Sequence, residues 1–252
     1  NRKYILAGAT STWGVITSRY EDMYKSISNA TAAAKSHNGL GIIVTDWGDI
    51  GHLQYLPNSY LGFIHGAISS WSCENEEDVI YMLEQIVGKD IASALLKLSR
   101  YTELEGPYRD YGSRLFYHIL WSEHAQKYKN PMEFFNQKMQ YNLLNDESIQ
   151  KLSDLFKEVK LQLLKLDGEK LEVRELLNSI HLLETLLEIN KKLRLPEEEF
   201  EEEIKSLEEY EVQHLALWNE RNKEAGFKFS INRIKWLKQI LVQKSKKGDK
   251  HE

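Results

Sequence analysis

The distribution of glycine divides this chain into two parts. Eight of the fourteen glycines lie at or before Gly66, and the other six are spread over residues 67–252. Glycine weakens helices, so a glycine-rich part followed by a long stretch rich in Leu, Glu and Lys predicts two architectures. We place the boundary near residues 72–75, with an α/β part at 1–73 and an all-helical domain at 74–252.

The first part repeats a strand-and-helix plan. "KYILAGATSTW" (3–13) opens with a short apolar run and ends in small hydroxyl residues, and a helix is predicted over about 18–36. "LGIIVTDWGD" (40–49) follows the same plan, with a second helix over about 57–71. Such units predict parallel strands covered by helices, and two strands alone do not complete a sheet of this kind. We therefore expect a strand-bearing part to be missing.

The second part is predicted to form a helical bundle. Residues 148–166 place apolar side chains along one helical stripe, and residues 173–193 do the same. The two helices are expected to pack antiparallel across a short turn. The predicted breaks between helices lie at Gly88, Gly106–Pro107, Asn130–Pro131, Asn145–Asp146, Asp167–Gly168 and Pro196.

Composition argues against several classes of protein. The net charge of −5 is spread over interspersed Glu and Lys without a basic and aromatic repeat, so we expect no nucleic-acid partner. No apolar run reaches the roughly 18 residues of a membrane span. Cys73 is the single cysteine, which excludes an internal disulfide and a cysteine metal cage. A cytoplasmic location is favoured, but secretion stays open because the chain begins at Asn1 without Met.

Polar and aromatic residues follow both predicted strands. Trp13 comes after the first strand, and Asp46, Trp47 and Asp49 come after the second. Residues beyond the carboxyl ends of parallel strands face the active site in sheets covered by helices. Tryptophan beside carboxylates is typical of sugar recognition, because the ring packs on C–H groups while the carboxylates accept hydrogen bonds from hydroxyls. These four residues are the candidate substrate-binding residues.

The same segment resembles a known family. "GATSTWGVITSRYEDMYKSISNATAAAKSHNGLGIIVTDWGDIGHLQYLPNSYLGFIHGAISSW" resembles the last two strand-and-helix units of glycoside hydrolase family 20-type catalytic domains, in a branch of β-N-acetylhexosaminidase-like proteins. "HLALWNERNKEAGFKFSINRI" (214–234) is similar to the segment that closes the helical C-terminal region of that branch. The resemblance implies a (β/α)8 barrel in which this chain supplies strands seven and eight, followed by an all-helical C-terminal domain.

The resemblance also implies roles for particular residues. In the family, strand eight ends with a tryptophan followed two residues later by an acidic residue that binds hydroxyls of the non-reducing sugar. Trp47 and Asp49 match that spacing, with Asp where many members have Glu, and Trp13 would form a second wall of the pocket. The implied partner is an N-acetylhexosamine-containing glycan, of gluco or galacto configuration, and no cofactor is implied.

The family's catalytic Asp–Glu pair has no counterpart in this chain. That pair lies at the end of strand four, where the Glu is the general acid and the Asp orients the acetamido group that attacks the anomeric carbon. No catalytic residue is therefore assigned here, and the chain alone is expected to be inactive. The missing N-terminal barrel half, or self-association, is expected to cover the open sheet.

Each candidate also has a structural interpretation. Trp47 would plug the barrel rim, and Asp46 would cap a turn by accepting from backbone N–H groups. His52 forms a D-x-x-D-x-x-H spacing with Asp46 and Asp49, but the adjacent glycines do not preorganise a metal site, so no metal is assigned. Arg19 is expected to form a structural ion pair.

Two other functions remain open. The first is a helical interaction or scaffold module, supported by the extent of amphipathic helix after residue 74. The second is a carbohydrate-binding remnant without catalysis. The position of Trp47 and Asp49 discriminates the glycosidase from the scaffold, since convergence with Trp13 at one strand-end edge favours the glycosidase and burial among helices favours the scaffold. Titration of the tryptophan fluorescence with N-acetylglucosamine would separate the carbohydrate-binding remnant from the scaffold.

Overall fold

A computed structural model describes residues 3–49, 52–71, 76–106, 112–195 and 199–248, with side chains as far as residue 245. The chain is mainly helical with a small two-stranded parallel sheet, which confirms the predicted fold class at that level. The strands are β1 (Leu6–Ala9) and β2 (Ile42–Thr45). The helices are α1 (Tyr20–Ser36), α2 (Tyr60–Trp71), α3 (Glu76–Val87), α4 (Lys89–Leu98), α5 (Tyr101–Leu104), α6 (Phe116–Ala125), α7 (Pro131–Met139), α8 (Asp146–Leu163), α9 (Leu171–Lys192), α10 (Glu201–Arg221) and α11 (Phe227–Gly248).

One face of the sheet is covered by the two helices that follow its strands. Gly8 of β1 lies so close to α1 that a Cβ there would come within 3.0 Å of the Cα of Ile27. Gly66 of α2 leaves room for a methyl group of Val44 on β2. These two glycines therefore allow the helices to pack closely on the strands, which is the strand-and-helix arrangement that the sequence predicts.

The opposite face of the sheet is bare in the described structure. Ile5 is 51% exposed, Ile43 is 53% exposed, and Ala7 beside them is also exposed. Ala7 and Ile43 are opposite each other in the parallel register, so their side chains share this face. Parallel sheets in globular proteins are normally covered on both faces, which makes this face an unfilled interface.

Helices α8 and α9 form the best-buried part of the bundle. They pack against each other across the short connection at 164–170. The predicted stripe is confirmed, because Leu152, Phe156 and Val159 are completely buried. Helix α8 begins after Asn145, whose Oδ1 accepts a hydrogen bond from the backbone N of Ser148 at 2.8 Å.

The apolar core is continuous across both parts of the chain. It joins α1 (Ile27) and α2 (Leu61) to α4 (Leu95), α9 (Leu183) and α11 (Leu241). The helical part therefore packs on the strand-and-helix part, while the domain boundary at residues 73–74 stays a prediction. Among the described residues, we find no helix whose length and apolar character would let it cross a membrane.

Four sequence predictions fall on residues outside the described ranges. They are the part boundary near residues 72–75 and the predictions for Cys73, Pro107 and Pro196. The other predicted breaks do separate helices, and Gly88 adopts φ +87°, which favours glycine at the junction between α3 and α4.

Candidate functional site

Asp46 connects three segments at the carboxyl edge of the sheet. Its Oδ1 accepts hydrogen bonds from Thr10 Oγ1 at 2.6 Å and Thr12 Oγ1 at 2.8 Å, both in the segment that follows β1. Ser59 Oγ, in the 3₁₀ turn before α2, lies 2.9 Å from Oδ1 and 3.0 Å from Oδ2. The donors are hydroxyl groups, whereas the structural interpretation from sequence expected backbone N–H groups. This carboxylate therefore holds the two strand ends and the start of α2 together.

The orientation of the Asp46 carboxylate is fixed from one side. Its three donors, Thr10, Thr12 and Ser59, are each at most 1% exposed, while Asp46 itself is exposed. Oδ1 receives three of the contacts, and Oδ2 receives only the longer contact from Ser59. A carboxylate oxygen can accept more than one hydrogen bond, so Oδ2 keeps acceptor capacity for a ligand hydroxyl.

Trp47 presents its ring to solvent. The side chain is 54% exposed, and its Nε1 donates to Thr45 Oγ1 at 2.9 Å. Thr45 Oγ1 in turn donates to the carbonyl of Gly8 at 2.9 Å. The ring is thus oriented by the strand ends without being buried in the described structure, and the rim-plug interpretation, which concerns a complete barrel, stays a prediction.

Asp49 is also exposed, and Gly48 separates it from Trp47. A Cβ at Gly48 would lie 2.7 Å from Nδ1 of His52, so any larger residue here would have to displace the His52 ring. The His52 ring contacts Gln54 Nε2 at 3.2 Å, and its burial lowers the pKa of the imidazole despite the opposing charge of Asp46. Within the described ranges, no three His, Cys, Asp or Glu side chains are arranged to hold a metal ion.

Trp13 packs against the guanidinium group of Arg19. The Arg19 Cζ lies 4.5 Å from the centre of the Trp13 ring, and the Arg19 side chain is only 5% exposed. Arg19 Nε lies 3.0 Å from Asp22 Oδ2, which is the structural ion pair that the sequence predicts. Burial lowers the pKa of Arg19, and the charge of Asp22 opposes that shift. One face of the Trp13 ring is therefore occupied by the protein itself.

The segments that carry the two tryptophans meet at one edge of the sheet. Thr12 precedes Trp13, Asp46 precedes Trp47, and the bond between Thr12 and Asp46 joins the two segments directly. The described contacts do not bury Trp47 or Asp49 among helices, since both residues are exposed. This placement is the one that the sequence analysis associates with sugar binding.

Sequence reasoning missed the hydroxyl groups that fix Asp46. The sequence places Thr10 and Thr12 in the hydroxyl-rich run after the first strand, at the edge that faces the predicted site, but it does not indicate that they bond Asp46. The "LPNS" segment around Pro57 is a helix-start signal, which places Ser59 at the amino end of α2. That signal could have identified Ser59 as a residue facing the strand ends.

Comparison with known proteins adds no assignment. No protein-family model matches the chain, and no curated protein is significantly similar to it. The interpretation of this edge therefore depends on its own geometry, and the resemblance of roughly residues 7–71 to the hexosaminidase-like branch stays a prediction.

Proposed function

We propose that this chain is the C-terminal part of a glycosidase that hydrolyses terminal β-linked N-acetylhexosamine by substrate-assisted, retaining catalysis. Its strand-end edge would supply part of the pocket for the non-reducing sugar. The observation that supports this proposal is the exposed pair Trp47 and Asp49 at the carboxyl end of β2, next to the carboxylate of Asp46. An exposed ring beside two carboxylates matches the two faces of a sugar, one of C–H groups and one of hydroxyls.

Each residue has a distinct role in this proposal. The Trp47 ring packs on the C–H face of the sugar, and Asp49 accepts hydrogen bonds from its hydroxyls. Asp46 holds the strand ends and offers Oδ2 to a further hydroxyl, while Trp13 contributes the ring face opposite Arg19. This part of the protein binds and orients the sugar, and the acid catalyst would come from the missing barrel half.

The bare sheet face supports the idea that the barrel is incomplete in this chain. Ile5 and Ile43 lie on the face that points into the interior of a (β/α)8 barrel. The isolated chain is therefore expected to bind the hydrophobic dye ANS or to self-associate, because apolar surface and strand edges are exposed. A compact monomer that does not bind ANS would count strongly against the proposal.

The test is hydrolysis of chromogenic β-N-acetylglucosaminide and β-N-acetylgalactosaminide by the protein extended upstream to include the other strands. We expect Asp49→Ala to raise KM by about 10- to 100-fold, which corresponds to losing a charged hydrogen bond to the sugar. Asp154→Ala, at an exposed position on α8, is the matched control and should leave KM unchanged. A well-folded extended protein without activity on either substrate would move the assignment to sugar binding or to a scaffold.

A non-catalytic carbohydrate-binding role is the second candidate, favoured by the exposed Trp47 in a chain without the catalytic pair. Titration of the tryptophan fluorescence with N-acetylglucosamine separates this role from a helical scaffold. A saturable change that disappears in Trp47→Phe supports sugar binding, and a flat titration supports the scaffold.

A further inference from the structure

A buried chain of hydrogen bonds lies beneath the candidate site and joins three helices to the segment that follows it. Asn178 Nδ2 of α9 donates to Tyr55 Oη at 2.7 Å, and Tyr55 Oη lies 2.7 Å from His214 Nδ1 of α10. His214 Nε2 lies 2.9 Å from Ser230 Oγ of α11. All four side chains are at most 6% exposed. The four residues come from four separate segments of the chain, so no local sequence pattern predicts the network.

The donor groups determine the direction in which hydrogen bonds run through this network. The amide nitrogen of Asn178 can only donate, so Tyr55 Oη accepts there and directs its one proton to His214 Nδ1. His214 therefore carries its proton on Nε2 and donates it to Ser230 Oγ. Burial lowers the pKa of His214 to about 4, which agrees with a neutral ring. The neutral Nε2–H tautomer is consistent with these three contacts, while Asn178 Oδ1 has no hydrogen-bond partner in the described structure.

The other end of this hydrogen-bond network reaches Gly48, which lies between Trp47 and Asp49. Ser230 Oγ also contacts the carbonyl of His52 at 3.4 Å, and the His52 ring lies directly against Gly48. Gln54 Nε2 lies 3.4 Å from the carbonyl of Trp47. The segment 52–55 thus contacts the helices through Tyr55 and the strand end through His52 and Gln54. His52 adopts φ +48°, a conformation that non-glycine residues keep only where the surroundings hold them.

We propose that Tyr55 and His214 are positioning residues, which transmit the placement of helices α9, α10 and α11 to segment 52–55 and so set the orientation of Trp47 and Asp49. This inference rests on the proposed function where it concerns sugar binding. It gives the helical part of the chain a direct role at the sugar pocket, in addition to its packing against the sheet.

The first test determines which ring nitrogen of His214 carries the proton, and it needs no substrate. Nitrogen NMR of the histidines in the whole chain should show His214 protonated at Nε2 and unprotonated at Nδ1 near neutral pH. In Tyr55→Phe this tautomer preference is expected to weaken, because the donor to Nδ1 is lost. A wild-type His214 that carries its proton on Nδ1 would overturn the proposed direction of the chain.

The second test measures whether the hydrogen bonds of Tyr55 and His214 set the orientation of Trp47. We expect both Tyr55→Phe and His214→Gln to change the acrylamide quenching of Trp47, isolated by subtraction of the same measurement in a Trp47→Phe background. His118→Gln is the matched control, because His118 is equally buried and bonded, to the Leu115 carbonyl at 2.9 Å and to Asn190 at 3.3 Å. Unchanged Trp47 quenching in folded Tyr55→Phe would overturn the proposal, even if His214→Gln failed to fold.

The third test measures the extended protein on the chromogenic substrate. Tyr55→Phe removes both hydrogen bonds of the Tyr55 hydroxyl and should raise KM about 10-fold by misplacing Trp47 and Asp49, while kcat falls less and His118→Gln leaves KM unchanged. Absence of glycosidase activity in every variant would contradict the proposed function alone, because the tautomer and quenching measurements would still decide the positioning role. An unchanged KM in Tyr55→Phe in an active protein would overturn that role.

Discussion

The sheet and the helical bundle differ in how completely they bury their apolar side chains. Leu152 and Phe156 on α8 are completely buried by neighbouring helices, whereas Ile5 and Ile43 on the sheet are about half exposed. Covering a branched apolar side chain contributes about 1.5–3 kcal/mol, so the bundle gains this stabilisation within the chain and the bare sheet face does not. The difference indicates that α8 is fully packed within the chain, whereas one face of the sheet is uncovered in the described structure.

The largest expected effect is on the stability of the helical bundle. Phe156→Ala should lower the free energy of unfolding by about 3–5 kcal/mol, because a completely buried ring is replaced by a cavity. Ile43→Ala, on the bare face, should cost less than about 1 kcal/mol. Urea denaturation of the two variants measures both values. Equal losses would show that the sheet face is covered in solution, for example by a second copy of the chain. The difference in burial between the bundle and the sheet would then not hold in solution.

The next effect concerns acid stability. Burial lowers the pKa of His118 and His214 to about 4, below the usual value of 6.5, so the unfolded chain binds more protons than the folded chain between these values. Each histidine therefore contributes stability that is complete above pH 6.5 and is lost as the pH falls to about 4, by roughly 3 kcal/mol at most.

The buried carboxyl of Glu105 acts in the opposite direction. Burial raises its pKa to about 7, so its ionisation destabilises the fold as the pH rises from about 4.5 to 7. Comparing wild type with His118→Gln cancels this term. The loss of unfolding free energy between pH 7 and 4.5 should be about 2–3 kcal/mol smaller in the variant, and an equal loss in both proteins would exclude His118 as a source of acid lability.

A smaller effect on stability is expected from the hydrogen bond between Thr12 and Asp46 at the strand ends. Thr12→Val keeps the shape of the side chain but removes a hydrogen bond to Asp46, and it should cost about 1–2 kcal/mol. Thr31→Val on α1 is the matched control, because the buried Thr31 Oγ1 has no hydrogen-bond partner in the described structure. That control should be neutral or stabilising. Equal values for the two variants in urea denaturation would argue against a structural role for the contact with Asp46.

The smallest effect on stability is expected at the candidate site itself. Trp47→Ala should change the free energy of unfolding by less than about 1 kcal/mol, since about half of the side chain is exposed and its hydrogen bond to Thr45 lies at the surface. The same variant should lose the fluorescence response to N-acetylglucosamine. A large loss of stability would show that Trp47 supports the strand end and would weaken its assignment as a ligand contact.

Local features of the fold were predictable from the sequence. The run Ile42–Val44 between glycines identified β2, which extends one residue further to Thr45, and the helix predicted over about 18–36 begins at Tyr20. These elements follow from periodicity and from glycine and proline signals within short windows. The helix predicted from about 57 instead begins as a 3₁₀ turn at Leu56–Ser59, with Pro57 in its first turn, before α2 starts at Tyr60.

The polar network could not be predicted in the same way. Asp46 receives hydrogen bonds from residues 36 positions before it and 13 positions after it, and Tyr55 meets His214 across 159 positions. Such contacts depend on how the elements pack, which no single segment of sequence specifies. The sequence singles out Trp47 and Asp49, whose chemistry and spacing lie within three consecutive residues, and both are exposed in the structure, while their role in binding stays a prediction.

The stacking of Arg19 on Trp13 limits how a ligand can enter the site. The guanidinium covers one side of the indole, so a sugar that touches Trp13 can reach only the other side. If the same sugar also lies on Trp47, as the proposed function requires, its two ring faces meet unequal surroundings. The site would then distinguish the two faces of a pyranose before any hydroxyl group is recognised.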